Sequence, residues 1–494
     1  MLHKCALITV TVLLIQVGLL AQTTTDALRY SSYTVGMTAR SLGSGGALGA
    51  LGADFSVAST NPAGLAQYRS SEFVFSPTFF TKKTASTLTN DEALPSYEDS
   101  RTNFNLNTIG FVANSQPRNP DWRTSNFAIG LNRLANFHQD FFYRGTSEGS
   151  ILDRFKEQAN GSGISDFESG VAIDSDALYD FDGDGFYEND FDLSPGALVE
   201  REQEVIARGA INELVFSLAG NYKDRLMIGA TVGIPFLSYR ESKTYLEVDP
   251  GEGVDGNVLF FDDLEFGESL TTTGVGVNLK LGMIYRASQE LRLGLAAHTP
   301  TAFTMEDNYN TNMAYRYTVY DLDNQPLPLD GSAESPDGIF SYRLQTPWRI
   351  IGSAGFIYQK MGFLSAEIEL VDYANNRFKY DGFTDEELEV NDNITKTLGT
   401  AWNLRLGGEL AYEVFRFRVG YGLEQSPFEN DDTMNSSISF GVGMRGENAF
   451  LDFGYRQSTL KESYIPYLTF DAPEQIVDQD IKQTQLMLTV GFRF

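Results

Sequence analysis

Three arginines and two glutamates in the carboxyl-terminal half are placed where they could act together on a ligand. Arg405, Arg416, Arg418, Glu367 and Glu369 alternate with apolar residues, so each falls on the polar face of an extended segment. A guanidinium binds a carboxylate through two parallel hydrogen bonds, so these arginines could bind the carboxylate of an otherwise apolar ligand. Opposite charges on neighbouring strands also form a ladder that stiffens a sheet and anchors a segment packed on it. The charges are too many for one ligand, which favours the ladder.

An acidic loop is the best candidate for a metal site. Asp180, Asp182 and Asp184 alternate and are interleaved with glycines, like the first half of a calcium-binding loop. Glu188 occupies the ninth position counted from Asp180, but the twelfth position holds Phe191 where a glutamate is needed. The sequence therefore leaves two readings open, a weak extracellular calcium site and a solvated acidic loop. No other cofactor is expected.

The histidines do not predict catalysis. His138 and His298 are far apart in the sequence, whereas zinc needs clustered ligands. A hydrolase would need a serine, a histidine and an orienting acid within hydrogen-bonding reach, and nothing in the spacing singles out such a set. We expect no catalytic residues and no enzymatic activity.

The first residues predict export. Lys4 precedes an apolar run over residues 6–20, which ends at Ala21 before a polar residue. This is the pattern of a secretory signal peptide, predicted over residues 1–21, and the alternative is a membrane-anchoring helix. Cys5 lies inside the signal, so the mature chain would have no cysteine and no disulfide.

A period of two along the rest of the chain predicts long β-strands. In residues 483–494, Leu486, Leu488, Val490, Phe492 and Phe494 share one face, and the segment is long enough to cross a bilayer. We find about fourteen such segments, at 72–82, 101–114, 124–137, 211–222, 226–240, 271–286, 290–304, 347–359, 362–375, 400–412, 414–425, 436–445, 449–459 and 481–494.

The connections between these segments alternate between short and long. The longest are 138–210, 241–270 and 305–346, and each follows an odd-numbered segment. Short periplasmic turns and long outer loops are typical of transmembrane barrels. We therefore predict an all-β fold, a transmembrane antiparallel barrel of about 14 strands over residues 72–494. Phe492 and Phe494 would form the terminal signal that the barrel-assembly machinery recognises.

Composition agrees with a barrel and argues against a nucleic-acid partner. Phosphate binding needs basic patches, whereas the net charge is −29, and we assign the acidity to outer loops. The mean hydropathy of −0.22 is compatible with a membrane barrel, because lipid-facing and lumen-facing residues alternate and their hydropathies cancel.

A glycine-rich segment, residues 22–71, precedes the first predicted strand. Residues 38–43, 45–47, 53–54 and 61–65 together resemble the FadL/TodX family of outer-membrane transporters for hydrophobic compounds. The resemblance implies that residues 22–71 form a hatch inside a fourteen-stranded barrel, with Asn61, Pro62, Ala63 and Gly64 as its motif. Taken alone, these four residues would be an ordinary turn.

The resemblance also implies a function and a location. The chain would carry fatty acids, aromatic compounds or other apolar molecules across a Gram-negative outer membrane and release them sideways into its lipid. Two alternatives remain open: a surface component of a protein secretion or assembly system, and a non-specific pore. A transporter would hold an apolar cavity between hatch and wall, whereas a secretion component would hold a protein partner.

Overall fold

The alternating segments become strands and the glycine-rich segment becomes short helices. The computed structural model describes residues 22–33, 37–251, 256–359, 361–470 and 472–494, so the predicted signal peptide lies outside the described residues. The helices are α1 (Thr24–Ser31), α2 (Ala39–Gly43), α3 (Ile151–Gly161), α4 (Ser169–Asp174) and α5 (Thr384–Thr397), with 3-10 turns at Phe55–Ser59, Pro62–Gln67, Asp190–Leu193 and Tyr373–Asn375. The strands are β1 (Glu72–Leu88), β2 (Ser96–Ser115), β3 (Trp122–Asn136), β4 (Gln139–Glu148), β5 (Leu198–Tyr222), β6 (Leu226–Val248), β7 (Phe261–Arg286), β8 (Leu291–His298), β9 (Ala302–Tyr320), β10 (Pro326–Glu334), β11 (Gly338–Gln345), β12 (Arg349–Tyr358), β13 (Gly362–Asp372), β14 (Arg377–Tyr380), β15 (Thr400–Tyr412), β16 (Phe415–Gln425), β17 (Met434–Arg445), β18 (Ala449–Tyr464) and β19 (Val477–Arg493).

These strands form one antiparallel sheet that closes on itself. β1 pairs with β19 along its whole length, from Glu72 opposite Arg493 to Leu88 opposite Val477. Four wall strands consist of two consecutive segments each, namely β3 with β4, β8 with β9, β11 with β12, and β13 with β14, whereas β10 extends the outer end of β9 as a hairpin. The wall therefore has 14 strands, and the predicted barrel is confirmed.

The outer face of the wall is apolar. Leu364, Leu410 and Phe417 are 68%, 56% and 46% exposed, and the other outward positions of their strands are mostly apolar as well. A continuous apolar belt of this kind is what a transmembrane barrel presents to lipid. No helix among the described residues is long and apolar enough to cross a membrane.

The strands extend further outward than the sequence indicated. The ranges 138–210, 241–270 and 305–346, predicted as loops, contain β4, β10, β11 and the outer ends of β5, β6, β7 and β9. On β5 the outward positions in this region are Glu200, Glu202 and Glu204. The outward-facing residues are apolar only where the wall faces lipid, whereas backbone pairing continues beyond the lipid. Strands that are predicted from apolar faces are therefore too short at their outer ends.

An extracellular unit packs on these extensions. Arg201 and Glu247 form an ion pair at 3.4 Å with both side chains fully buried. Glu247 accepts from the backbone N–H of Ile151 at 3.2 Å, and Arg201 donates to the Gly149 carbonyl at 2.7 Å, so the pair fixes the start of α3. Burial raises the pKa of Asp190 in the same unit, opposed by hydrogen bonds from Tyr315 and Tyr179.

The segment over residues 22–71 contacts the inner face of the wall around its circumference. Gly49 N–H donates to Glu367 Oε2 at 3.0 Å, and Ala39 N–H donates to Thr489 Oγ1 at 2.8 Å, on strands far apart around the barrel. Ser59 Oγ donates to Glu213 Oε2 at 2.8 Å on a third side. These contacts place the segment within the lumen. Its role as a hatch stays a prediction.

Glycines on the inner face of the wall permit this close approach. A Cβ at Gly454 would lie 2.7 Å from the Ala39 carbonyl oxygen, and one at Gly294 would lie 2.9 Å from the Gly49 carbonyl oxygen. Side chains at these positions would displace the N-terminal segment. We call this set the glycine belt, and its members lie on ten strands: Gly110, Gly130, Gly229, Gly282, Gly294, Gly355, Gly407, Gly420, Gly441 and Gly454.

The glycine belt predicts that Gly407→Val unseats the N-terminal segment without unfolding the wall. A Cβ at Gly407 would collide with the carbonyl oxygen of Ser44. Planar-bilayer recordings should show larger conductance steps than wild type, with heat-modifiable barrel still formed. Gly408→Val is the matched control, because its Cβ would meet Leu364 Cδ2 at 3.3 Å on the opposite face of β15. Equal conductance in both variants would contradict the seating role.

Candidate functional site: an opening in the barrel wall

The barrel wall is discontinuous between β2 and β3. The ladder between β2 and β3 covers Thr108–Ser115 and Ser125–Asn132. Further outward, β2 continues to Ser96 and stays paired with β1. On its other side, β3 shifts register between Arg133 and Ala135 and ends at Asn136. The ladder between the two strands therefore stops within the wall, well before the outer end of β2.

A glycine on β5 fixes the bend at which β3 gives way to β4. β5 pairs with β3 from Ala210 onward and with β4 up to Ala207. Between them, Gly209 has φ of 128°, in the left-handed region that disfavours other residues. A Cβ on Gly209 would also collide with the carbonyl oxygen of Ser238. The bend therefore depends on glycine at this position.

Beyond the bend, β4 leans over the inside of the barrel. Phe141 and Tyr143 are buried in one cluster with Leu88 of β1 and Val477 of β19, and the Phe141 ring centre lies 5.1 Å from that of Tyr464. β4 thus packs on the inner faces of strands that lie beyond β2. β4 also contacts β2 farther out, where the Tyr97 ring meets the Phe142 ring at 5.3 Å and Arg101 lies 3.8 Å from Asp140. The opening is therefore the stretch of β2 between these contacts and the last ladder pair, Thr108 with Asn132.

Polar side chains bridge the opening where the backbone ladder is missing. The Arg133 guanidinium donates from Nε to Asn212 Oδ1 at 3.1 Å and from Nη1 to Asn105 Oδ1 on β2. Asn136 Nδ2 donates to Asn103 Oδ1 at 3.5 Å. A cavity of about 290 Å³ lies at this point, lined by Asn103, Phe104, Asn105, Arg133, His138, Gly209, Ala210, Asn212, Phe236, Leu237 and Ser238. The cavity is lined by the outward-facing rings of Phe104 and Phe236 on one side and by lumen residues such as Leu237 on the other.

An apolar cluster continues the opening into the lumen. Leu134, Ala135, Ile211 and Leu237 belong to a buried cluster that also contains aromatic residues of β9, β11 and β14. Phe137, at the bend, packs against this cluster and meets the Tyr239 ring edge-on at 5.4 Å. The apolar cluster therefore borders the opening on its lumen side through Leu237, which also lines the cavity.

Helix α1 occupies this part of the lumen. The Tyr30 ring contacts the Phe137 ring at 6.2 Å, and the Tyr30 hydroxyl donates to Thr272 Oγ1 at 3.2 Å. Gln22 Nε2 donates to Asp307 Oδ2 at 2.7 Å and holds the start of the helix. The N-terminal segment thus reaches from the glycine belt to the inner side of the wall opening.

The Asn-Pro-Ala-Gly motif lies deeper, at the glycine belt. Asn61 caps the 3-10 turn Pro62–Gln67, since its Oδ1 accepts from Ala63 N–H at 3.2 Å, and its Nδ2 donates to the Gly49 carbonyl at 2.8 Å. Gly64 lies against Gly52, where a Cβ would be 2.9 Å from the Gly52 Cα. The motif therefore shapes the segment itself and does not face the wall opening.

The predicted charged residues are already paired with one another. Arg405 donates to Glu367 at 3.0 Å and also binds Glu369, which binds Arg349 at 3.0 Å. Arg418 bridges Glu409 at 2.7 Å and Asp452 at 2.8 Å. These side chains are buried beneath the N-terminal segment, which favours the ladder over a ligand site.

The remaining predicted residues lie apart from this network. Arg416 donates to the carbonyl oxygens of Glu413 and Phe415 at a periplasmic turn. Phe492 and Phe494 are exposed at the periplasmic end, and the Phe494 ring stacks on Phe111 at 6.0 Å. Their role as an assembly signal stays a prediction.

The two histidines within the described residues, His138 and His298, have structural partners. His298 contacts the Thr60 carbonyl oxygen through Nε2 at 2.6 Å, which ties β8 to the N-terminal segment. His138 lines the cavity and contacts Asn136 Oδ1 through Nδ1 at 2.9 Å. The partners are a backbone carbonyl and an asparagine amide, and neither is a catalytic nucleophile.

The acidic loop brings its three aspartates together. Asp180, Asp182 and Asp184 offer carboxylate oxygens within 4.8 Å of one another, all exposed. Asp180 Oδ1 accepts from Gly183 N–H at 2.7 Å, while Glu188 Oε2 accepts from Phe181 N–H at 3.2 Å. The loop is folded by its own carboxylates, and whether it binds calcium stays a prediction.

Sequence reasoning missed the wall opening. Arg133, Asn105 and Gly209 are not adjacent in the chain, and only the strand register brings them together. One local signal was available: residues 132–140 contain Asn132, Arg133, Asn136, His138 and Gln139 and interrupt the apolar alternation of β3.

Solved structures of known proteins share this architecture. An FadL homologue of Pseudomonas aeruginosa has a TM-score of 0.57 and 14% identity, covering 94% of this chain and 100% of its own. The toluene transporter TodX of Pseudomonas putida has a TM-score of 0.52 and 12% identity, covering 94% and 100%. No family model and no curated protein matches the chain. At sequence identities this low, the comparison confirms that the chain shares the fold of these transporters.

The aspartate cluster predicts weak calcium binding. Isothermal titration of the folded barrel with calcium should give a saturable heat, at the millimolar affinity of exposed extracellular sites. Asp182→Asn combined with Asp184→Asn should abolish that heat, because two of the three clustered carboxylates are lost. Asp321→Asn with Asp323→Asn, in a loop whose Asp321 accepts from Asp323 N–H at 2.9 Å, is the matched control. Absence of any calcium heat in wild type would make this a solvated loop.

Proposed function

We propose that this chain is an outer-membrane transporter of hydrophobic small molecules, which pass from its lumen through the opening between β2 and β3 into the membrane. The observation that supports it is the opening itself, where a cavity of about 290 Å³ meets the apolar lumen cluster. The proteins that share the fold, a FadL homologue and a toluene transporter, support this function.

Lateral exit follows from how the lumen is filled. Below the opening, residues 39–66 lie against the glycine belt with backbone-to-backbone contacts, so this part of the lumen is closed to a ligand. The opening lies above this closure and at the level of outward apolar residues such as Phe104 and Phe236. A hydrophobic molecule in the outer lumen therefore has a shorter apolar route into lipid than into the periplasm.

Residues 22–71 act in this proposal as the hatch. The deeper part, seated on the glycine belt, seals the barrel, and α1 lies in the path between the outer lumen and the opening. α1 is held by side chains of the wall, through Tyr30 to Thr272 and the Ser31 carbonyl to Arg349, whereas the deeper part is held by close backbone packing. α1 is therefore the part whose displacement costs least when a ligand enters.

A crosslink across the opening tests lateral exit. Asn103→Cys with Asn136→Cys joins β2 to the bend, where the native side chains are 3.5 Å apart. Cys5, the single cysteine of the sequence, lies in the predicted signal peptide, so the mature background has no other thiol. Oxidation, or a short thiol-specific crosslinker, should abolish uptake of labelled toluene and oleate by cells, and reduction should restore it.

The control uses the same two strands below the opening. Asn114→Cys with Asn126→Cys joins register partners whose amides are 2.7 Å apart in the intact ladder. Oxidised control protein should transport like its reduced form. Unimpaired uptake through a fully crosslinked 103/136 pair would show that substrate leaves elsewhere.

A further inference from the structure

The periplasmic end of the barrel carries a run of cations, although the chain as a whole has a net charge of −29. The cations come from the residues just before β1, from the start of β3, and from the short connections between β5 and β6 and between β7 and β8. Strands β3, β5, β6, β7 and β8 are consecutive neighbours in the wall. We call this set the basic rim, and its members are Arg69, Arg123, Lys223, Arg225, Arg286 and Arg292.

Two carboxylates neutralise only part of the basic rim. Asp224 Oδ2 lies 3.4 Å from Arg123 Nε, and Asp224 Oδ1 lies 3.8 Å from Arg69 Nη2. Asp121 Oδ1 lies 3.6 Å from Lys223 Nζ. Three exposed cations therefore share two carboxylates, and this part of the rim keeps a positive charge.

The arginine pair at the connection between β7 and β8 lacks a partner for part of each guanidinium. Arg286 and Arg292 are register partners, and both face inward, on the side of the fully buried Ile284. The Nε atoms of both are buried and have no hydrogen-bond partner among the described residues. Glu290, in the same connection, accepts instead from Ser288 Oγ at 2.8 Å. Like charges opposite each other are destabilising, so this pair needs an anion from elsewhere.

The position of the pair indicates where that anion comes from. Arg292 Nη1 donates to the Leu51 carbonyl at 3.2 Å, so the pair lies directly under the N-terminal segment, on its periplasmic side. The neighbouring Tyr285 and Leu291 are exposed on the outer face of the wall and separate the pair from lipid. The anion therefore enters from the periplasm, and a phospholipid headgroup is disfavoured.

The length of the basic rim favours an extended ligand over a small ion. Neighbouring strands lie about 4.8 Å apart, so the rim extends over about 20 Å from β3 to β8, the length of about six extended residues. A single oxyanion would reach only one end of it. A chain with several carboxylates would meet the arginine pair and the exposed cations together.

We infer that the basic rim is the docking site of a periplasmic polypeptide with an acidic segment, one of whose carboxylates lies between Arg286 and Arg292. The two oxygens of a carboxylate accept one hydrogen bond each, and would satisfy both Nε groups. Arg69 follows the N-terminal segment and Arg292 holds its Leu51, so the partner contacts the wall and the seated segment at once. This interaction is separate from the exit of substrate through the wall opening.

Fluorescence anisotropy of a labelled hexaglutamate peptide, titrated with the purified, heat-modifiable barrel at low salt, tests the docking site. Hexaglutamate should bind saturably, and hexaglutamine, of the same length without charge, should not bind. Added salt should weaken the binding, because exposed charges are screened. Absence of saturable hexaglutamate binding would overturn the inference. Displacement of the peptide by an equal concentration of inorganic phosphate would show a site for single oxyanions and would also overturn it.

Variants then assign the binding to the arginine pair. Arg286→Gln with Arg292→Gln should weaken hexaglutamate binding at least about tenfold, as expected for lost hydrogen bonds to charged groups. Arg144→Gln with Arg316→Gln is the matched control, because it removes two exposed arginines from ion pairs at the opposite, outer end. The control should bind like wild type. Wild-type affinity in the folded 286/292 variant, or an equal loss in the control, would overturn the inference.

A single variant decides the matter if the 286/292 variant does not fold. Arg225 is exposed, and its guanidinium lies 5.6 Å from the ring centre of Tyr285 on the outer side of the rim. Arg225→Gln should therefore fold and should weaken hexaglutamate binding by about threefold, since one exposed charge of the rim is lost. Unchanged affinity in this variant would then overturn the inference.

Discussion

The rest of the structure depends on one constraint, that backbone N–H and C=O groups facing lipid must be hydrogen-bonded within the protein. Pairing of β1 with β19 meets it by closing the sheet. The wall between β2 and β3 is the exception, because the backbone ladder stops there and the two strands are joined by side-chain hydrogen bonds, from Arg133 to Asn105 and from Asn136 to Asn103. A break bridged by side chains opens at less cost than a backbone ladder, and this supports the proposed lateral exit.

The same constraint explains why the lumen is filled as it is. Inward charges such as Glu367, Arg405 and Glu369 are buried once the N-terminal segment covers them, and burial of charge is costly unless it is paired. The network supplies most partners, and the segment supplies another through Gly49 N–H. Wall and segment are therefore complementary: the glycine belt permits close approach, and Glu367 gains the Gly49 N–H as a further hydrogen-bond donor when the approach is made.

The N-terminal segment that fills the lumen contacts the wall at the edge of the opening. Tyr30 of α1 contacts Phe137 at the bend, and the Thr108 hydroxyl, at the last ladder pair of β2, donates to the Met37 carbonyl at 2.7 Å. A shift of α1 would therefore change the contact of Tyr30 with Phe137 at the edge of the opening. The extracellular unit is fixed differently, through the buried pair of Arg201 and Glu247. The extracellular unit is thus anchored by a buried ion pair, whereas α1 contacts the bend through a weaker contact between two aromatic rings.

The sequence by itself determined the barrel, the fourteen wall strands and the short periplasmic turns. A period of two and the difference in connection length are local properties, readable from Leu486, Leu488 and Val490 without knowing their partners. It also placed Arg405, Glu367 and Glu369 on the inner face and favoured a charge ladder over a ligand site. Only the strand register shows which of these charges pair, and it also forms the glycine belt and brings Arg133 to Asn105. Such contacts join residues far apart in the chain, and which strand residues face each other is fixed only when bulges, bends and closure are all in place.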